Sequence, residues 1–313
     1  MSTASLSPVT VEVNALDIRP IGGRLGAEIR GVDLRDRLSD RIIANIRQAL
    51  LQYKVIFFRN QSLDDRSQVA FARRFGDITA AHPTVPSLPD NPAILDIDYG
   101  RTPARTNFWH TDVTFVDKPP LGSILRAIEL PPIGGDTLWA NTVTAYKDLP
   151  HALQNLANEL WAVHSNAYDY ATFLTLSAEA KARQEQFSST PFEALHPVVR
   201  VHPETQERSL FIGGFVRRIH GLSTTESAQV LQMLQSYVVR PENTLRWHWQ
   251  LGDVAFWDNR ATQHYGVYDY DGQLRRMQRV TLVGDLPVGL DGRSSQVLQG
   301  NSDDYNKLSV LAS

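Results

Sequence analysis

A chain of 313 residues, 42% hydrophobic and 21% charged, can bury a large core within one all-β unit. A net charge of −3 argues against a nucleic-acid partner, and the absence of cysteine excludes disulfides, thiolate metal sites and cysteine nucleophiles. "MSTASLSPVTVEVNAL" lacks the basic and apolar regions of a signal peptide, and no apolar run is long enough to span a bilayer. These readings predict a soluble cytoplasmic protein with no membrane partner.

In chain order, "LSDRIIANIRQALLQY" spaces Ile42, Ile43, Ile46, Ala49 and Leu50 as the buried face of a helix, with Ser39 or Asp40 as N-cap. "KVIFFR" reads as a short buried strand. "LDDRSQVAFARRFG" reads as a second helix, with acids in its first turn, arginines in its last and Gly76 as its stop. After a Pro-rich loop come strands at "AILDID", "SILRAIEL" and "DTLWAN", the last two on either side of the turn "PPIGG". "TAYKDLPHALQNLANELWAVHS" is predicted helical with a break at Pro150, and "FSSTPFEAL" as loop. "HPVVRVHPETQERSLFI" is predicted as a hairpin turning at residues 203–206. "STTESAQVLQMLQSYVV" opens with a capping box of Ser223 and Glu226, "TLRWHWQLGDVAFWDN" reads as another hairpin, and "RMQRVTLVGD" as the last strand.

No repeat or linker divides the chain, so residues 1–313 are read as one domain. Helices at the front and in insertions, with short strands in the middle and at the end, predict a mostly β fold with flanking helices: an antiparallel barrel or jelly roll. Residues 1–10 and 301–313 are expected to be poorly ordered tails. The polar or Pro-rich loops at 83–106 and 171–194 are expected to cover a site and to be mobile.

The chemistry concentrates in "NFWHTDVTF". His110 and Asp112 share a strand face if that strand is regular. Two histidines and one carboxylate on one side of a metal leave the remaining positions open for substrates, the arrangement of non-haem iron oxygenases. The third ligand is expected to be His264 in "WDNRATQHY", just after the apolar strand "DVAFW". A decoy pair, His202 and Glu204, flanks Pro203 and is read as a solvated turn. His164, His196 and His248 are read as hydrogen-bonded structural residues. Arg275 and Arg279 fall on one strand face with Met277 between them, and Arg276 and Gln278 on the other. Two arginines converging on a metal cavity require anions, and guanidinium holds carboxylate or sulfate with paired donors. The bland alternative is a surface strand with solvated charges, preferred for Arg276.

"WHTDVTF", "GGDTLWAN", "WDNRATQHY" and "RRMQRVTLVGD", in this order, resemble the TauD/TfdA family of iron(II)- and 2-oxoglutarate-dependent dioxygenases over nearly the whole chain. The resemblance implies a double-stranded β-helix, with His110, Asp112 and His264 as iron ligands and O2 and 2-oxoglutarate as co-substrates. It implies that Arg279 binds the distal carboxylate of 2-oxoglutarate together with the hydroxyl of Thr137. Arg275 then holds the anionic end of a small-molecule substrate near or against the 2-oxoglutarate pocket, His82 is a second contact, and Val113 lines the pocket with Phe215. "ELWAVHSNAYDYA", "HPVVRVHPETQERSL" and "FVRRIHGL" look most like the alkylsulfatase branch, with taurine or another sulfonate as the alternative substrate. An ammonium group would need an acid, for which Asp98 and Asp169 are the candidates. A homo-oligomer, dimer or tetramer, is expected. Two other classes stay open: a zinc hydrolase on the same three ligands, against which no HExxH helix is present, and a non-enzymatic jelly-roll binding module.

Overall fold

The structure, a computed structural model, describes residues 16–98, 106–167 and 178–308. Its elements begin with β1 (Asp17–Pro20), β2 (Ala27–Arg30), α1 (Asp40–Tyr53), β3 (Val55–Phe58), α2 (Asp65–Arg73) and β4 (Leu95–Asp98). They continue with β5 (Gly122–Glu129), β6 (Thr137–Asn141), α3 (Thr142–Lys147), α4 (His151–Glu159), β7 (Trp161–Ser165), α5 (Ala178–Phe187), β8 (Glu193–Pro197), β9 (Val199–Val201) and β10 (Arg208–Leu210). Then come β11 (Val216–Ile219), α6 (Thr224–Val238), β12 (Thr244–Trp247), β13 (Val254–Asp258), β14 (Thr262–Gly266), β15 (Arg276–Leu282), β16 (Val288–Gly289), β17 (Gln296–Gln299) and α7 (Asp303–Asn306).

Among the described residues, seven strands form a sheet in the order β1-β2-β3-β13-β5-β15-β4, and a second sheet runs β12-β6-β14. The two-residue alternation of β3 and β13 builds a layer on each side of the larger sheet. Ile56, Phe58, Val254 and Phe256 turn outward and pack against Ile42, Ile46 and Leu50 of α1 and Phe71 of α2. Val55, Phe57, Ala255 and Trp257 turn inward against Trp139 of β6 and Trp247 of β12. Phe57 stacks on Trp247 with ring centroids 3.9 Å apart, which joins the two sheets. Apolar runs such as "VIFF" and "VAFW" follow from this, because a strand covered on both faces has no polar side.

The first helix is as read, capped by Ser39, whose hydroxyl accepts the Ile42 N–H, and burying the five named residues. The capping box of Ser223 and Glu226 also forms. Several readings need correction. "LWAVHS" is not helix but β7, a fully buried strand paired with β8 and β11. "TLRWHWQLGDVAFWDN" is not a hairpin: β12 pairs with β6 while β13 lies between β3 and β5, so the connection crosses between sheets. Strand "RMQRVTLVGD" is not the last, since β16 and β17 follow it. The 171–194 loop contains α5, and its residues 171–177 lie outside the described residues, as do 99–105 of the other loop. The 301–308 part of the C-terminal tail is anchored: Tyr305 is buried, and its carbonyl accepts the Ala80 N–H.

The His202–Glu204 pair is not a solvated turn. His202 is fully buried, its Nδ1 accepts the N–H groups of Glu204 and Thr205, and its Nε2 lies 3.0 Å from Asp258 Oδ2. Arg260 donates to both Asp258 oxygens and pairs with Glu204, which Arg47 of α1 also holds. Burial alone would raise the Asp258 pKa, but Arg260 and then His202 hold it well below the ordinary carboxylate value of 3.8. A depressed folded-state pKa contributes stability that is present above the unfolded value and lost as pH falls through the folded one. Asp258→Ala, which leaves Arg260 and His202 buried without their partner, is expected to cost about 3–5 kcal/mol in urea unfolding at pH 7. That difference should shrink as pH drops below about 4; an unchanged urea midpoint at pH 7 would show that the network contributes nothing.

Candidate metal centre and active site

His110 and His264 face each other across an isolated antiparallel bridge, exchanging both backbone hydrogen bonds at 3.1 and 2.8 Å. Their rings lie 4.2 Å apart between centroids. Asp112 does not continue that strand, contrary to the shared-face reading. Residues 112–115 form a turn, with Val113 at φ 53°, and this turn swings the carboxylate back beneath the imidazoles. Asp112 Oδ1 then lies 4.0 Å from His110 Nε2 and 3.7 Å from His264 Nε2, and one ligand atom from each residue falls within 4.8 Å of the others.

All three side chains are buried, and their charge states follow. Burial pushes His264 down to about 3, helped by His110 and opposed by Asp112. Burial also lowers the His110 pKa against the pull of Asp112. For Asp112, burial works to raise the pKa, but Arg279, His264 and His110 together hold it well below the carboxylate range. His110 Nδ1 lies 2.8 Å from the Phe108 carbonyl, so Nδ1 carries the proton and the Nε2 lone pair faces Asp112. Two neutral imidazole nitrogens and one ionised carboxylate oxygen make a donor set that fits a divalent ion. Among the described residues, His264 Nδ1 and Arg279 Nε are buried with no hydrogen-bond partner.

The two arginines enter from β15 and the residue before it, on the inner face with Met277, as read. Arg276 instead turns to the other face and pairs with Asp96 at 2.8 Å. Arg275 and Arg279 have different partners. Thr137 does not meet Arg279: Arg275 Nη2 donates to Thr137 Oγ1 at 3.3 Å, Arg275 Nε donates to the Gly135 carbonyl at 2.8 Å, and Trp249 Nε1 donates to the same hydroxyl at 3.0 Å. Gly135 has φ 71°, and a Cβ there would stand 2.9 Å from Arg275 Cδ, so "GGDT" needs its second glycine. Arg279 Nη1 instead donates to Asp112 Oδ1.

His82 Nδ1 accepts the N–H groups of Thr84 and Val85, the same His-Pro turn that His202 makes. Nε2 therefore carries the proton. In His202 that nitrogen meets Asp258; among the described residues His82 has no such carboxylate bond. Burial pushes His82 down to about 3, with Arg279 adding to the effect, so it is a neutral donor near Arg279 and Asp112. Val113 is buried in an aromatic group with Phe115 and Phe192 that Phe187 and Phe215 flank. Phe215 stands edge-on to His110 at 5.7 Å, and Phe187 of α5 lies 5.2 Å from His82. Thr84 Oγ1 donates to the Phe187 carbonyl, so the described parts of both predicted loops meet at the site. Asp98 sits opposite Arg276 on β4, on the face away from the site, and Asp169 lies outside the described residues. His164, His196 and His248 are hydrogen-bonded to Thr114, Ser295 and Asp136, as read.

Sequence reasoning missed Ser123, whose hydroxyl donates to Asp112 Oδ2 at 2.8 Å, and Asn259, whose carboxamide binds the Asp112 backbone. Trp249 was missed as well. Asn259 sits inside the quoted "WDNRATQHY", which was a usable signal; Ser123 at the start of a strand offers none.

Residues 17–281 match the family model described as taurine catabolism dioxygenase TauD, TfdA family. The chain belongs to the TauD/TfdA family. Within it, the chain is 50% identical over 299 residues to an alpha-ketoglutarate-dependent sulfate ester dioxygenase of Pseudomonas putida, covering 95% of this chain and 98% of that protein. It is 48% identical over 280 residues to an alkylsulfatase of Acinetobacter baylyi, covering 88% of each. A taurine dioxygenase structure from Burkholderia xenovorans superposes with a TM-score of 0.78 at 38% identity, over 91% of this chain and 95% of that one. TauD/TfdA membership makes the chain a dioxygenase with a jelly-roll core that uses iron(II), O2 and 2-oxoglutarate (alpha-ketoglutarate). Among the described residues no helix is long and apolar enough to cross a membrane.

His264→Ala and Asp112→Ala are each expected to abolish iron(II) binding in equilibrium dialysis and turnover with it. Chelator treatment of the unaltered enzyme should remove activity that iron(II) restores. Near-normal iron binding by His264→Ala would remove the ligand assignment.

Proposed function

We propose that this dioxygenase hydroxylates the carbon bearing the sulfate ester of an alkyl sulfate, with His110, Asp112 and His264 holding the iron. The observation that carries the substrate class is the pair Arg279 and His82: a cation bonded to Asp112 and a neutral donor within electrostatic reach of both, with aromatic rings beside His82. The sulfate ester dioxygenase and alkylsulfatase relatives support it. Bound iron(II), with O2 and 2-oxoglutarate, supplies the oxidising chemistry.

In this reading the arginine roles are exchanged relative to the first carry-over. Arg275 and the Thr137 hydroxyl, already in contact, hold the distal carboxylate of 2-oxoglutarate, and Trp249 fixes the hydroxyl. Arg279 and the Nε2–H of His82 grip the sulfate, with Val113 beside them. This anchors the substrate so that the adjoining C–H bond is the one near the three ligands. The alkyl chain runs along Phe215, Phe187 and Phe115, which also exclude water. The hydroxylated carbon then collapses: its O–H proton leaves, the C=O bond forms and the C–O bond to sulfate breaks. The products are an aldehyde and inorganic sulfate, alongside succinate and carbon dioxide. Asp98 pairs on β4 opposite Arg276, on the face away from the site, and the apolar rings beside His82 suit an alkyl chain better than the ammonium of taurine. The same reading includes a cytoplasmic setting, where 2-oxoglutarate is available, and assembly as a dimer or tetramer, which sedimentation tests.

Arg275→Ala is expected to raise the 2-oxoglutarate requirement at least a hundredfold, since removing one side of a desolvated ion pair costs about 3–5 kcal/mol. Arg279→Ala should act mainly on the sulfate ester instead; the opposite split would return the roles to their first assignment. Along a short alkyl sulfate series, succinate release measured as kcat/KM should rise until the pocket is full, each buried methylene adding about 0.8 kcal/mol. Hexyl sulfate should outperform taurine. If taurine is the better substrate, the alkyl sulfate assignment falls while the iron and 2-oxoglutarate chemistry stands.

A further inference from the structure

The two carboxylate oxygens of Asp112 are not equivalent. Oδ1 faces both imidazole Nε2 atoms and Arg279. Oδ2 accepts the Ser123 hydroxyl at 2.8 Å. Ser123 is fully buried on β5, its backbone fixed between Trp257 of β13 and Thr281 of β15 as cross-strand partners.

The Asp112 backbone is held as firmly, and by a side chain. Asn259 Oδ1 accepts the Asp112 N–H at 3.0 Å, and Asn259 Nδ2 donates to the Asp112 carbonyl at 3.1 Å and to the Pro120 carbonyl at 3.1 Å. The Asn259 N–H donates to the Leu121 carbonyl at 3.0 Å. The carboxamide thus replaces a neighbouring strand where the chain leaves the His110–His264 bridge. It is needed there because Val113 is β-branched at φ 53°, a conformation that persists only where its surroundings enforce it.

We infer that Ser123 and Asn259 position Asp112 so that it offers a single carboxylate oxygen to the metal, an inference that rests on reading His110, Asp112 and His264 as the ligands. Two-oxygen chelation would have to break the Ser123 bond and rotate the carboxylate against the Asn259 clamp. The count of positions gives this a purpose. Three protein donors leave half of an octahedral shell for 2-oxoglutarate and oxygen, whereas a chelating carboxylate would take one of those positions.

The test uses cobalt(II) as the probe, followed by visible absorption and by titration calorimetry on the full chain. Ser123→Ala removes only a hydroxyl, and Asn259→Asp keeps the shape while replacing the donor with an acceptor. Each is expected to weaken cobalt(II) binding about 10–100-fold and to alter the d–d absorption envelope, the effect of losing the partner of a metal ligand. Ser227→Ala, which removes another buried hydroxyl, the acceptor of the Ile219 N–H, should leave both affinity and spectrum unchanged. Wild-type affinity and spectrum in both Asp112-contacting variants would overturn the inference. So would a spectral change of the same size in Ser227→Ala. If the unaltered chain itself binds no cobalt(II), the ligand assignment fails first, which is a different result.

Discussion

Asp112 carries a negative charge into the space between two sheets, where an isolated carboxylate would be too costly to keep ionised. It stays ionised because Arg279, two imidazoles and the Ser123 hydroxyl surround it. Each of those groups is delivered by a different part of the fold: Arg279 by β15, Ser123 by β5, His264 by β14, and His110 by the bridge to β14. The larger sheet therefore supplies cation and hydroxyl and the smaller sheet supplies imidazole. The apolar layer of Trp139, Trp247, Trp257 and Phe57 sets the spacing at which they meet.

The same low-dielectric interior divides the work of the two inner arginines. Arg275 donates to two neutral acceptors, the Gly135 carbonyl and the Thr137 hydroxyl. Arg279 is instead paired with the Asp112 carboxylate, between the two imidazoles. Four residues apart along the strand, both point to the inner face but meet different partners.

Scaffolding in this molecule is done by polar side chains as much as by the apolar layer. Asn259 clamps Asp112, Asp258 binds His202 and Arg260, and Arg260 reaches Glu204 and through it Arg47 of α1. The consecutive residues 258–260 thus fasten the turn that leads into His264 to both the opposite loop and the outer helix. Such networks hold a site in place only when every member is satisfied.

How much was legible in the sequence depended on the range of the interaction. The first helix, the capping box at Ser223 and the buried strand "VIFF" rest on periodicity and local hydrogen bonds, which the sequence states directly. The clustering of His110, Asp112 and His264 was anticipated from the order of the motifs and the family resemblance rather than from His-x-Asp alone, and the structure brings the three side chains together. The tertiary structure decided what depends on which strands lie side by side. "LWAVHS" carries no strand signal stronger than its helical one until β8 and β11 cover it. "TLRWHW" and "DVAFW" look like a hairpin locally but pair with different sheets. Thr137 meets Arg275 and not Arg279 because of where β6 begins relative to β15. His202 and Ser123 gained their roles only from Asp258 and Asp112, whose contacts with them span many residues of chain. Periodicity fixes which side of an element is buried; only the closed fold fixes what it is buried against.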